Sequence, residues 1–303
     1  MTKKSNTYEL VTNQILSALE QGIVPWHKPW REGIGAPRKL SDKTPYRGIN
    51  VWVLGATAIS KGYESPWWGS YNEIKNRGGQ VRKGEKGTPV VYWNLLEIDD
   101  RDNPGEKKKI PFVRHSFVFN ADQTEGTRVP EIEGLADHDP IEAADEIVNG
   151  YLSSDNAPRF TQAGDSAFYA PSLDGVTVPL PGAFESIEAY YATTFHELGH
   201  STGHESRLNR PGITEIKPFG TPDYSREELI AEMTAAFLAG EAGIDVNYPQ
   251  HSGYIASWLK NLGDDPKLVV QAAAAAQKAA NLILGREATD NSSLSEEKEL
   301  VAS

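Results

Sequence analysis

The chain has 303 residues, a net charge of -12 and no cysteine; it is long enough for two domains of ordinary size, and disulfides and thiolate metal sites are excluded. No run of about eighteen apolar residues occurs and the N-terminus lacks the apolar core of a signal peptide, so a soluble, cytoplasmic protein is expected. Residues 1–128 carry 20 Lys and Arg against 14 Asp and Glu, whereas the remainder carries 10 against 28, which points to a basic half that meets a polyanion and an acidic half that does not.

Apolar residues at Leu10, Val11, Ile15, Ala18 and Leu19 predict an amphipathic helix over about 7–21, closed by Gly22 and Pro25. A loop rich in Gly, Pro and cations runs from there to Arg47. A second apolar helix is expected over 50–61, ended by Gly62. Trp67 to Gly79 reads as an aromatic strand, a short helix capped at Ser70 and a glycine stop. The glycine-rich basic turn from Val81 to Gly87 leads into a strand reaching Trp93, and a charged tip over 99–109 joins it to a partner over 111–119. The acidic stretch 120–138 shows no period and marks the domain boundary, giving domains 1–128 and 129–286.

The second half opens with a helix from Asp139, placed as cap before Pro140, to about Ser153. Phe168 to Ala170 and Val176 to Val178 form a hairpin around Asp174 and Gly175. A helix from Ser186 to Gly203 follows, then a loop, then a helix whose Ser225 and Glu228 read as a capping box. Helices over 252–262 and 266–284 close the fold, the last with Asp265 as cap. The polar tail 287–303 is expected to be disordered.

The helix from Ser186 carries the most specific chemistry, His196-Glu197-Leu198-Gly199-His200. Histidines four apart share one helix face and reach one ion, while Glu197 beside them takes the proton of an activated water. With cysteine absent, the third ligand must be His, Asp or Glu. A straight helix would carry His204 too far along for the same ion, so an outer role suits it better. A glutamate from the helix after Ser225 is the alternative. Glu228 is occupied by the expected capping box, and Glu232 lies in an apolar stretch where a carboxylate needs a partner, so the reading favours His196, His200 and Glu232. One divalent ion is implied, zinc first, with manganese or cobalt also compatible. Tyr190, Tyr191, His204, His251 and Tyr254 are candidates for stabilising an oxyanion or supporting the site, and the predicted hairpin offers a strand edge for an extended peptide.

Six of the seven tryptophans, Trp26, Trp30, Trp52, Trp67, Trp68 and Trp93, fall within the first 93 residues, interleaved with Lys and Arg. Aromatic platforms with cations suit single-stranded nucleic acid, whose bases stack while its phosphates are neutralised. The same tryptophans also suit the core of a small domain.

Three blocks, Pro45 to Asn50, Trp67 to Tyr71 and Gly78 to Gly87, resemble the N-terminal domain of ArdC-type antirestriction proteins. The block His196 to Leu208, followed by Glu228 to Glu232, is similar to their zincin-like metallopeptidase domain. The resemblance implies an α+β, two-domain protein: a small α/β domain with a twisted sheet that binds single-stranded DNA, then a mostly helical zincin-like domain. It implies a plasmid-borne protein that protects incoming DNA from host restriction during conjugation, with Arg47, Trp67, Trp68, Tyr71, Arg82, Lys83 and Lys86 facing the strand. The alternative is a metal-dependent peptidase that cleaves a host restriction or defence protein, with DNA binding used for localisation. No membrane partner is expected.

Overall fold

A computed structural model describes residues 6–26, 36–99, 107–131, 139–215, 222–244 and 252–286, with the backbone alone described at 94–99, 108–111, 222–224 and 252–257. The Asn6 side chain caps α1 (Thr7–Glu20), which buries Val11, Ile15, Ala18 and Leu19 as its apolar spacing requires. β1 (Arg38–Lys39) precedes α2 (Ile49–Lys61), which ends at Gly62 with φ 72°, a left-handed residue that glycine adopts without strain. β2 (Trp67–Gly69) leads into α3 (Tyr71–Asn76), where Ser70 and Glu73 form a reciprocal capping box. β3 (Gln80–Val81), β4 (Thr88–Asp99), β5 (Lys107–Asn120) and β6 (Thr124–Glu125) complete the first unit.

Its main sheet has the order β1-β2-β5-β4, with β1 parallel to β2 and the other pairs antiparallel. The β4–β5 hairpin is in continuous register from Thr88 opposite Val118 to Asp99 opposite Lys107. β2 lies inside this sheet, and successive side chains of a strand point to opposite faces. Trp68 therefore packs with Leu54, Val90 and Val118 on one face, and Trp67 with Leu40 and Ile74 on the other. The expectation that both face DNA is corrected here: at 4% and 1% exposure, Trp67 and Trp68 are core residues because both faces of their strand are covered.

In the second unit, Asp139 caps α4 (Pro140–Leu152) through the Ile141 and Glu142 amides. The expected hairpin is present as β8 (Phe168–Ala170) antiparallel to β9 (Gly175–Val178), joined through Asp174 at φ 44°. A strand not anticipated, β7 (Arg159–Gln162), pairs parallel with β9, so the order is β7-β9-β8 and β8 is an edge. α5 (Ile187–Ser201) carries the His-Glu motif, and the short α6 (Pro211–Thr214) precedes α7 (Pro222–Ala242). α8 (Ser252–Asp264) and α9 (Leu268–Ile283) follow. α9 starts later than expected: Lys267 stands at the cap position, and Asp265 instead accepts the Lys267 amide at 2.9 Å. The tail 287–303 lies outside the described residues.

The two units share a core. Val11, Ile15, Trp26 and Trp52 from the first pack with Leu229, Met233, Trp258 and Val269 from the second. A separate core joins α4, α5, α7, α9 and the β7–β9 sheet through Val148, Val176, Phe195, Leu198, Ala235 and Leu238. Among the described residues no helix is long and apolar enough to cross a membrane.

Candidate metal centre

Ser186 caps α5 by accepting the Ala189 amide at 3.2 Å, and the helix is buried on most sides at Tyr190, Tyr191, Phe195, Leu198 and Gly199. Gly199 is where α5 crosses α7: a Cβ there would stand 3.3 Å from Thr234 Cβ and 3.4 Å from the Ala231 backbone. This close approach sets Glu228 beside the two histidines.

His196 Nε2 and His200 Nε2 are 3.1 Å apart. Glu228 Oε2 lies 3.6 Å from the first and Glu228 Oε1 3.6 Å from the second. Donors about 2.0–2.1 Å from a tetrahedral ion are about 3.4 Å from one another, so the three side chains already stand at metal-ligand spacing. Their donor atoms all fall within 4.8 Å of one another, the grouping found among the described residues. Two imidazoles and one carboxylate suit zinc and also manganese or cobalt. Burial opposes a charge on His196, yet its contact with Glu228 and the fields of Glu197, Glu228 and Glu232 together raise its pKa.

Glu232 is not in this group. Its Oε2 accepts the indole N–H of Trp26 at 2.7 Å, and burial pushes its carboxyl up to about 7. The preference for Glu232 as third ligand is therefore replaced by Glu228. The reason is local: α7 begins at Pro222, so Ser225 stands within the helix rather than at its cap, and Glu228 is released from the capping role assumed for it.

Glu197, 8% exposed, has its carboxyl raised by burial, against the pull of both histidines and a hydrogen bond from the Tyr169 backbone on β8. A carboxyl raised in this way is a stronger base than a free glutamate. Outside the donors lies a buried network that the sequence did not announce. Glu227 Oε1 stands 3.4 Å from His200 Nδ1, longer than a well-formed hydrogen bond, and among the described residues Nδ1 has no hydrogen-bond partner. Arg210 holds Glu227 with Nε at 2.9 Å and Nη2 at 2.5 Å, and also donates to Thr202 Oγ1 at 2.6 Å and the Gly199 carbonyl at 2.9 Å. Arg210 thus satisfies the end of α5 and anchors the carboxylate facing His200. Burial works against the Glu227 charge, but His200 and Arg210 outweigh it and lower its pKa.

Residues 5–119 match the family described as the N-terminal domain of anti-restriction factor ArdC, and residues 147–275 match the zincin-like metallopeptidase family. The crystal structure of the antirestriction ArdC protein from the R388 plasmid, metal-free, superposes with a TM-score of 0.72 at 38% identity over 91% of this chain and 96% of that one. Its Mn(II)-bound form gives 0.73 at 36%, over 94% and 99%. The chain belongs to the ArdC antirestriction family. Two Escherichia coli proteins named DNA primase TraC are 37% and 36% identical over 95% and 94% of this chain, which spans only 20% and 27% of their lengths. A protein of Sinorhizobium fredii, y4eC, is 34% identical over 91% of both chains.

Within this ArdC-family frame, His204 does not join the donors: α5 has ended, and its Nδ1 bonds Ser206 Oγ at 2.9 Å and lies 3.9 Å from Asp174 Oδ2. Tyr190 and Tyr191 pack in the second core, with the Tyr190 hydroxyl accepting from Gln162 at 2.8 Å. His251 lies outside the described residues, and at Tyr254 the backbone alone is described. In the first unit Arg47, Tyr71, Arg82, Lys83 and Lys86 are exposed, and Arg82 is paired with Glu85 at 3.0 Å. The Tyr71 hydroxyl accepts from Gln80 at 3.0 Å, which sits just before the basic turn. At the far end of that turn Gly87 lies against Phe117, whose ring is 48% exposed and was not anticipated. Trp26 and Trp52 are fully buried, Trp93 is half-buried, and Trp30 lies outside the described residues.

Proposed function

We propose that this chain is an antirestriction protein whose first unit binds single-stranded DNA and whose second unit holds one divalent ion at His196, His200 and Glu228. The observation that carries the DNA reading is the placing of two exposed rings, Tyr71 and Phe117, at either end of the turn that bears Lys83 and Lys86. Exposed rings accept unstacked bases while the lysines neutralise phosphates. Shielding of the transferred strand in the cytoplasm then follows from occupancy of this surface.

A second reading, hydrolysis of a host defence protein, is favoured by one observation: Glu197 is buried next to the three donors and receives the Tyr169 amide from the edge strand β8. An ion bound at the donors would supply a polarised, acidified water. Glu197 is placed to take a proton from water and return it to a leaving amine. β8 leaves one edge open to an extended peptide.

Glu197→Gln separates the two. Protection of DNA in a conjugation assay is expected to persist in this variant with metal content and fold intact; its loss under those conditions would favour hydrolysis. For the DNA surface, Lys83→Ala/Lys86→Ala is expected to weaken single-strand binding and lower the salt slope by about 1.4, from roughly 0.7 per phosphate contact. Unchanged affinity and slope would refute the assignment.

A further inference from the structure

Trp26 belongs to the first unit, yet its side chain ends at the metal centre of the second. Its ring is fully buried, meets Trp258 edge to face at 5.9 Å between centroids, and lies in the shared core with Leu229, Ile230 and Met233 of α7. So fixed, it donates its indole N–H to Glu232 Oε2 at 2.7 Å. Glu232 is one turn beyond Glu228 on α7, and residues four apart on a helix share a face.

The centre thus has a second glutamate within one helical turn of its third donor, turned aside into a hydrogen bond. The difference matters chemically, because four protein ligands close a tetrahedral site and three leave a position for water or substrate. We propose that Trp26 sets the ligand count of the metal centre: its indole N–H withholds the Glu232 carboxylate, so that His196, His200 and Glu228 ligate alone and one position stays open. Trp26 is a positioning residue in this scheme and touches neither ion nor substrate. The proposal rests on the metal reading above and is independent of the DNA reading.

The probes are Co(II), whose visible absorption shifts when a carboxylate takes the place of a bound water, and Mn(II), whose affinity is measured by titration. Trp26→Phe keeps an apolar ring and removes the donor. Its Co(II) band is expected to shift as the Glu232 carboxylate takes the position that water would hold, and Mn(II) to bind more tightly. Adding Glu232→Gln to Trp26→Phe is expected to restore both readings, whereas Glu232→Gln alone leaves the wild-type Co(II) band unchanged. An unaltered band and affinity in folded Trp26→Phe would overturn the proposal, as would a changed band in Glu232→Gln alone, which would make Glu232 a ligand already. If the cavity left by the smaller ring prevents folding, benzothienylalanine at position 26 gives an isosteric ring without the N–H and carries the same expectations. Absence of Co(II) and Mn(II) binding in the wild-type protein would instead defeat the metal reading itself.

Discussion

Removal of the Arg210 guanidinium tests whether the network behind His200 is structural, metal-positioning or both. Arg210→Met keeps the aliphatic length and leaves the Glu227 carboxylate, 5% exposed, without its two-point partner. It also removes one donor each from the Gly199 carbonyl and Thr202 Oγ1 at the end of α5, which still bond to one another. Stripping one member from a buried ion pair costs about 3–5 kcal/mol, because the surviving charge stays desolvated. For a chain of this size that is on the order of 10 °C in melting temperature. The assay is urea denaturation with metal chelated, paired with Mn(II) titration of the folded variant. Glu227 is expected to lose its hold on His200, lowering affinity about tenfold or more. In Arg210→Met/Glu227→Leu the buried charge is gone, so most of the stability returns while the affinity does not. A single-variant loss below about 1 kcal/mol would refute the argument that Glu227 is a buried charge needing Arg210. Affinity recovering together with stability in the double variant would refute the positioning role.

Two further outcomes follow from the same helices. Gly199→Ala places a methyl 3.3 Å from Thr234 Cβ and 3.4 Å from the Ala231 backbone, tight enough to push α5 and α7 apart by a few tenths of an ångström. Metal affinity is expected to fall about tenfold, while stability changes little, since alanine's helix preference of about 1 kcal/mol offsets the strain; wild-type affinity by Mn(II) titration would show that the helix crossing does not set the donors. Glu232 carries a carboxyl raised from 4.5 to about 7 by burial, so the folded state holds its proton longer than the unfolded chain. Its contribution is full below about pH 4.5 and is lost as pH rises through about 7, a swing of about 3 kcal/mol at 1.36 kcal/mol per unit. Denaturation of metal-free wild type and Glu232→Gln across pH 4–8 should therefore show the wild type losing ground as pH rises, and parallel curves would refute it.

What the sequence made legible was local. The reciprocal cap of Ser70 and Glu73, the stop at Gly62 and the Asp139 cap are contacts over a few residues, and each appears where residue type placed it. The pairing of His196 with His200 is of the same kind, since one helical turn fixes it. Choices between near-equivalent residues failed where they turned on distant packing. Glu228 and Glu232 share a face, and what separates them is a tryptophan 206 positions away. Trp67 and Trp68 sit beside cations in sequence, but whether a strand faces water depends on strand order and on the helices covering each face, which no residue of β2 encodes. Phe117 is exposed where β5 meets the basic turn, a placement set by the Gly87 contact across the sheet and not by the pattern of its own strand.

The position of α7 gives these contacts a common logic. One flank of the helix, through Leu229, Ile230 and Met233, lies in the core shared with α1, Trp26 and Trp52; the other, through Ala235, Leu238 and Ala239, lies in the core of the second unit with Phe195 and Leu198 of α5. Between them it presents Glu227, Glu228 and Glu232 to three different partners: Arg210, the two histidines and Trp26. Closely packed interiors transmit displacement rather than absorb it. A shift of the first unit against the second therefore reaches α7 together with α8 and α9, and on α7 it is carried to the histidines by Glu227 and Glu228. The first unit is in this sense part of the metal centre's scaffold, which places the seam between the two matched families inside a single packed body.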